Sequence, residues 1–587
     1  MFRLTNNLNF FSGDHTFTVG FSFERFEFFN SFNLGAYFFA DNRGAVGVFS
    51  DFASVDDFLA AVDNGLIGDA INNAESVFAA NNAVPIGTPG GWALAETHVG
   101  QLAFYIQDEW NITDNFKLTY GLRADKPLYF DTKELIQENI DRKGGLLQDG
   151  GTYAPDIQYF DEDGDAVFLN SLDLPDNDIL WSPRLGFNWD VKGDQSFQVR
   201  GGSGIFSGRF PFVWVGNQVA NTDFFFYQTT NPNFQFPQVW RSNLGLDYRF
   251  ENGIIASTDI IYTEDLNAAT VNNFGAGTPT GTLSGADDRA IYLPEDRATV
   301  FGGATNAYVF SNVDIGYSFN WSFKLQKQFD NNLYVMLAYN FLESEDANSL
   351  SAEISSDIFD LNPALGNVNT AVSSPSLFGN KHRIIGQINK QWNYGNGKFG
   401  TSIGTFFEYA RGGRFSYAYS GDINNDGSFT NDLIYVPTAS ELQQQQFRAP
   451  VNDGDPTVAQ QRDAFEAFIQ QNDYLNNRRG GYVGRNDQLS PWRSQWDVKI
   501  LQDFNFNGLG QNQNTIQVSV DILNFGNLLN SDWGVEQLPL TTQPLGVTVD
   551  GTGTPTYSFD PSQTATFIDD FDLVSRWQMQ FGLRYIF

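Results

Sequence analysis

From Val313 to Leu325 the odd positions are Val313, Ile315, Tyr317, Phe319, Trp321, Phe323 and Leu325, and the even positions are Asp314, Gly316, Ser318, Asn320, Ser322 and Lys324. Successive side chains of a strand point to opposite faces, so this segment predicts a strand with one apolar and one polar face. The same period of two sets Phe116, Leu118, Tyr120 and Leu122 against Lys117, Thr119, Gly121 and Arg123. It sets Leu185, Phe187, Trp189 and Val191 against Arg184, Gly186, Asn188 and Asp190. At the end of the chain, Trp577, Met579, Phe581, Leu583, Tyr585 and Phe587 alternate with Arg576, Gln578, Gln580, Gly582 and Arg584. Soluble strands average about 5–6 residues, whereas a strand crossing a bilayer needs about 9–11. Many segments here reach that longer length, with aromatic residues gathered toward the ends of the apolar faces as in interfacial girdles. The pattern predicts an all-β fold, a transmembrane antiparallel β-barrel with a polar interior.

The alternation marks about fifteen strands, near 2–11, 16–28, 97–110, 115–127, 181–191, 195–207, 236–250, 253–265, 313–329, 332–343, 380–392, 398–410, 491–505, 514–524 and 574–587. Short turns rich in Gly, Asn and Asp, such as Ser12-Gly13-Asp14-His15 and Glu251-Asn252-Gly253, alternate with long connections. The long ones fall near 29–96, 128–180, 208–235, 266–312, 344–379, 411–490 and 525–573. Short periplasmic turns and long extracellular loops are the habit of outer-membrane barrels. Such barrels carry an even strand count with both ends in the periplasm. A count of fifteen therefore leads us to expect a partial barrel, whose remaining strands lie outside these 587 residues.

Composition narrows the partners. The chain has 69 acidic and 34 basic residues, a net charge of −35, and no cysteine. Phosphate binding needs a basic surface, so nucleic acid is not an expected partner. Disulfides, thiolate metal sites and cysteine nucleophiles are excluded. Aromatic residues at 16% speak against disorder. No run approaches the roughly 18 apolar residues of a membrane helix, and the first residues lack the pattern of a secretory signal. Outer-membrane lipid is the expected surround.

The long connections are acidic. Residues 128–180 hold 13 acidic side chains against Lys133, Arg142 and Lys143, and read as a solvated, self-repelling surface. Within 411–490, Asp422, Asn424, Asp426, Gly427 and Ser428, followed by Asn431 and Asp432, place oxygen side chains at alternate positions before a glycine. That is the order of the first half of a calcium loop, so Asp422, Asn424, Asp426, Ser428 and Asp432 are candidate ligands for calcium, the one cofactor the sequence suggests. Position twelve is Leu433 where a bidentate Glu belongs, and an Asx-rich turn is the alternative reading. Asp161, Asp163 and Asp165 around Gly164 form a weaker candidate. Loop helices are expected after Ser54, which stands at capping-box spacing from Asp57, and after Asp455-Pro456 through Leu475. Catalysis finds little support: His15, His98 and His382 lie in separate hairpins, no Gly-x-Ser-x-Gly occurs, and Gly201-Gly202-Ser203-Gly204 continues a strand. On the polar faces Arg184, Arg200, Arg209, Lys324 and Arg584 are candidates for contact with a ligand or a plug.

Three stretches resemble a family. They are Trp181-Ser182-Pro183-Arg184-Leu185-Gly186-Phe187 running on to Val199–Arg209 and Pro211-Phe212-Val213-Trp214; Asp422–Asp426 with Asn431–Pro437; and Ser490-Pro491-Trp492-Arg493 leading to Trp496-Asp497. Together they resemble the barrel of Oar-like TonB-dependent receptors, the group that carries an N-terminal carboxypeptidase-regulatory-like domain. The resemblance implies a Gram-negative outer membrane and active uptake of a large ligand such as a siderophore, glycan or peptide. It implies energy from TonB, ExbB and ExbD, and a terminal Phe587 read by the barrel-assembly machinery. It further implies a barrel of 22 strands, with the signal peptide, regulatory-like domain and plug not among these residues. A passive porin and an adhesive or structural protein with calcium-binding loops are the alternative functions.

Overall fold

The computed structural model describes residues 1–30, 37–38, 45–46, 59–60, 62–64, 95–142, 145–149, 153–220, 227–300, 302–507 and 513–587. The capping signal at Ser54 and Asp57 lies outside them. Fifteen long strands follow one another in a single antiparallel sheet. In chain order they are β1 Phe2–Ser12, β2 His15–Asn30, β3 Ala95–Thr113, β4 Phe116–Leu128, β5 Leu180–Asp190, β6 Phe197–Ser207, β7 Gln238–Arg249 and β8 Ile254–Asp265. Then come β9 Gly316–Gln328, β10 Leu333–Asp346, β11 His382–Tyr394, β12 Phe399–Arg411, β13 Trp492–Asn507, β14 Gln513–Leu523 and β15 Gln578–Ile586. Each pairs with its neighbours in sequence, the order a meander of hairpins gives; the short segment Ser374–Pro375 adds to the end of β10.

Register confirms the two-faced pattern. Leu337 on β10 lies opposite Gly386, and Met336 opposite Gln387, so Gln387 shares the face of Met336 and Leu337 turns the other way. The apolar face is the exposed one: Phe104, Ile106, Leu185, Leu337, Ile388 and Phe581 all stand open, as side chains meeting lipid do. Turns at the short ends use positive φ, with Gly13 at +58°, Gly253 at +81° and Asn332 at +60°. One boundary differs from the alternation. Val313 ends a separate strand, Ala307–Val313, which pairs with Ala268–Asn273, and β9 begins only at Gly316. Gly316 sits at φ +142° against the Asp265 carboxylate, which breaks the chain direction while leaving the odd–even pattern in phase.

The long connections are folded: in 128–180 none of the 13 acidic side chains is buried, as the solvated reading expects, while the apolar residues between them pack inward. Helix α1, Thr132–Arg142, buries Ile136 and Ile140 in a cluster with Tyr153, Tyr159, Leu169 and Tyr227. Helix α2, Phe212–Ala220, places Trp214 and Val215 against Phe210, Phe234 and Phe310. A third cluster draws Leu283 and Ile291 from one loop, Tyr417, Tyr419, Phe465 and Phe468 from another, and Leu545, Tyr557 and Phe559 from a third. Its helix α3, Val458–Gln471, is capped by Thr457, whose hydroxyl accepts from the Gln460 N–H while the Gln460 side chain accepts from the Thr457 N–H. That capping box moves the cap from the expected Asp455, whose carboxylate instead accepts the N–H groups of Val451 and Asn452.

Candidate functional site: a polar wall beneath a folded cap

Polar side chains of the sheet pair along a strand, across neighbouring strands and with the rim. The Arg200 guanidinium on β6 reaches Asp247 on β7 and, at 2.6 Å, Asp259 on β8. Arg123 holds Asp125 at 2.7 Å, with Gln101 donating to the same carboxylate at 2.9 Å. Glu24, 4% exposed, is shared by Arg3 at 3.0 Å and by Arg209. Lys499 meets Asp521 at 2.6 Å and Arg383 meets Glu408 at 2.5 Å. Arg209 lies past the end of β6, also over the Phe26 ring, and Arg184 stacks 4.4 Å above Phe206. Arg184, Lys324 and Arg584 have no ion-pair partner among the described residues. The five cationic candidates therefore share one face of the sheet and its rim but do not converge on one point. Nor do the histidines: His15 bonds Asp108, His98 bonds Asp131, and His382 bonds the Tyr339 hydroxyl.

The glycines of Gly201-Gly202-Ser203-Gly204 have a packing role. A Cβ on Gly201 would stand 2.7 Å from the Phe187 ring of β5. Ser203 between them accepts from Trp240 Nε1 at 2.9 Å and from the Ser242 hydroxyl at 2.8 Å.

In the cap, Asp422–Asp432 forms a turn wrapped around buried carboxylates. Asp422 accepts the N–H of Asp426 at 3.1 Å and of Gly427 at 2.9 Å. Asp426, fully buried, accepts the Ser428 N–H at 2.7 Å on one oxygen, and on the other the amides of Asn424 at 3.2 Å and Asn431 at 3.1 Å. Gly427 makes this path possible at φ +93°. Asp432 accepts the Ile423 N–H at 3.1 Å and pairs with Arg289 at 3.2 Å. Burial, then the neighbouring Asp422, pushes Asp426 up to about 7. Burial likewise raises Asp422, and raises Asp432 well above the ordinary carboxylate range.

The candidate ligands Asp422, Asn424, Asp426 and Ser428 are thus brought together, while Asp432 is turned toward Arg289. No three Asp, Glu or His side chains among the described residues form a metal-holding group by themselves. The Asp161 turn joins Gln158–Phe160 to Ala166–Phe168, with Asp161 accepting the N–H groups of Asp163 and Asp165. It is a hairpin Asx turn.

Sequence reasoning missed Arg289. It is 3% exposed, held in a bidentate pair by Asp287 at 2.9 and 3.0 Å, and lies 5.1 and 5.5 Å from the Tyr419 and Tyr482 rings. Its signal was an arginine inside an acidic loop, Asp287-Asp288-Arg289, which reads as surface until the partner loop is in place.

A family model described as "Outer membrane beta barrel domain" matches residues 1–340. The chain belongs to this outer-membrane β-barrel family. No curated protein sequence matches it. Among solved structures it is similar to the outer membrane transporter YddB from Escherichia coli, at 12% identity and a TM-score of 0.43, over 99% of this chain and 53% of that one. It is similar also to the siderophore receptor PirA from Acinetobacter baumannii, at 10% identity and 0.39, over 89% and 50%. The FrpB iron transporter from Neisseria meningitidis gives 11% and 0.38, over 88% and 50%. The chain spans about half the length of these solved structures. As a member of the outer-membrane barrel family it resides in the outer membrane of a Gram-negative bacterium. Its exposed apolar face meets lipid, and its polar face lines the interior.

Proposed function

We propose that this barrel forms wall and cap of a TonB-dependent receptor, Oar-like in kind, that takes up a large ligand such as a siderophore, glycan or peptide. The observation that carries the reading is the cap: three loops share one apolar core, an investment in fixed shape that suits recognition of a specific ligand. Fifteen consecutive strands with ion-paired polar faces support a wide, wet or plugged interior, since small barrels fill theirs with packed side chains. TonB, ExbB and ExbD are then partners through segments outside these residues, and Phe587, beyond the end of β15, serves the barrel-assembly machinery. Arg184, Arg200, Arg209, Lys324 and Arg584 contact ligand or plug. Lys324 and Arg584 are the strongest of the five: like Arg184 they have no ion-pair partner among the described residues, and unlike Arg184 they stack on no ring there. The reading assigns no enzymatic activity.

The test uses the native protein in two ways. Protein extracted from the outer membrane is placed in planar bilayers and its conductance recorded. Cells lacking the gene, and cells depleted of TonB, are grown on siderophore-bound iron, glycans or peptides as sole sources. Silent bilayers, with one growth defect common to both strains, are expected. Steady conductance and growth indifferent to TonB would overturn the proposal in favour of a passive porin. Loss of surface attachment with no growth defect would overturn it in favour of an adhesive protein.

A further inference from the structure

The acidic turn holds more buried negative charge than its surroundings neutralise. Asp426 is 0% exposed and Asp432 is 1% exposed, with Asp422 beside them. Asp287, 2% exposed, and Asp360, next to Ser428, adjoin the same turn. Two guanidinium groups lie near these five carboxylates, and only one of them bonds any. Arg289 shares its single charge between Asp287 and Asp432. Arg297 spends its donors on the Asn425 carbonyl, the Gly275 carbonyl and the Asn306 amide oxygen, not on a carboxylate. Burying charge without a counter-charge is among the costliest things a fold can do.

An independent observation points the same way. The polar atoms left without a partner in this turn are acceptors. Asn431 is 1% exposed and its Oδ1 is unpartnered, while Nδ2 of the same amide rests on the Asp426 carboxylate. Oδ1 of Asp360 is also buried without a partner. Stranded acceptors around surplus carboxylates call for positive charge.

We propose that the turn binds one calcium ion through the carboxylates of Asp422 and Asp426 and the side-chain oxygens of Asn424, Ser428 and Asn431. Only oxygen ligands are offered, with carboxylate, amide and hydroxyl mixed in a loop, which suits calcium better than magnesium, an ion that demands a strict octahedron and keeps its waters. Thiolate is absent from the chain and no imidazole lies in the turn, so zinc and copper are poorly served. Asp432 stays with Arg289 and fixes the Ile423 backbone. The alternating order Asp422, Asn424, Asp426 before Gly427 is then the ligand spacing itself.

The consequence is mechanical. Asn424 O accepts from Tyr292 N–H at 2.7 Å, Asn431 O from Ala364 N–H at 2.7 Å, and Asp426 O from the Asn273 amide at 3.1 Å. Calcium in the turn therefore rigidifies the seam where three extracellular loops meet.

The test takes the native protein in detergent, stripped with a chelator. Calorimetry follows calcium chloride, and luminescence follows terbium chloride excited through tyrosine, with Tyr292 backing the turn. One saturable site is expected. Asp426→Asn should weaken it at least tenfold, and Asp163→Asn, in the other acidic turn, should leave it unchanged. Asn424→Ala is the milder variant should Asp426→Asn fail to fold, and it too should weaken binding at least tenfold. Absence of calcium heat and terbium signal in the folded wild type would overturn the proposal, as would a signal that survives both variants. Magnesium binding as tightly as calcium would overturn the assignment of the ion.

Discussion

Replacing Arg289 with alanine is expected to open the cap and leave the barrel standing. The change removes two bonds to Asp287, at 2.9 and 3.0 Å, one to Asp432 at 3.2 Å and one to the Leu433 carbonyl at 2.6 Å. Breaking a buried pair from one side costs about 3–5 kcal/mol, because the abandoned carboxylate stays buried. Two features place this case inside that range. Asp287 keeps the hydroxyls of Tyr419 and Tyr482 at 3.1 and 3.0 Å, which softens its loss. Asp432 keeps only the Ile423 N–H and gains nothing in exchange. Loss of the guanidinium between the two tyrosine rings adds a void, so about 4 kcal/mol is the working figure. That is roughly a thousandfold rise in the population of opened cap. Proteolysis of intact outer membranes reads it directly, since cleavage follows the open population when reclosing is fast. Fragments should originate within 412–491, and the sheet should remain resistant. Arg289→Lys keeps the charge without the two-pronged geometry and should fall between. A rise of less than tenfold in cleavage for Arg289→Ala would refute the view that this one cation holds the cap's acidic centre.

Phe465→Ala, at a fully buried position 5.2 Å from the Phe559 ring, should cost the cap about 3–5 kcal/mol, seen as a lower denaturant midpoint for its protease resistance. Gly427→Ala places a Cβ 2.7 Å from Asn306 Oδ1 at φ +93° and should cost about 1–3 kcal/mol, with terbium binding weakened in the same sample. Leu337→Arg puts a charge on the lipid face and should cost about 2–4 kcal/mol, read as reduced yield of folded barrel in the outer membrane. Gln387→Arg, one strand away on the polar face, should assemble normally.

The strands were legible because a membrane enforces a simple rule: one face meets lipid and the other does not, so the period of two runs unbroken through Phe116–Arg123 and Gln578–Ile586. The turns were legible for local reasons, since Gly13, Gly253 and Asn332 are the residue types that tolerate positive φ. The cap was not. Leu283, Tyr417, Phe465 and Tyr557 meet in one core from three loops, and no window of sequence contains more than a fraction of that contact set. The same distance hid Arg289, whose partner Asp432 is 143 positions away. The acidic turn was half legible. Its ligand order is local and could be read, but which carboxylate faces the cluster and which faces Arg289 depends on the neighbouring loop. In 128–180 the charge count told of the solvated side, where no acidic side chain is buried, but not of the packing beneath it: Ile136 and Ile140 stand one helical turn apart and bury together on one face of a largely polar helix.

A shared core has a consequence for how such a cap moves. The loop carrying α3 is tied to the loop after β10 by Arg485, which is 6% exposed and donates to the carbonyls of Asp346, Ala347 and Val372 and to the Asn362 side chain. It is tied to the loop after β8 through Arg289 and to the loop after β14 through Phe465 against Phe559. Lifting any one loop exposes apolar surface on the others and strands buried charge at both arginines, so the loops open together or barely at all. Loops that moved independently would give each its own rate of hydrogen exchange. Here the segments around Leu283, Phe465 and Tyr557 should exchange at a common rate, and a ligand that enters must use the gaps between loops or displace the cap as one body.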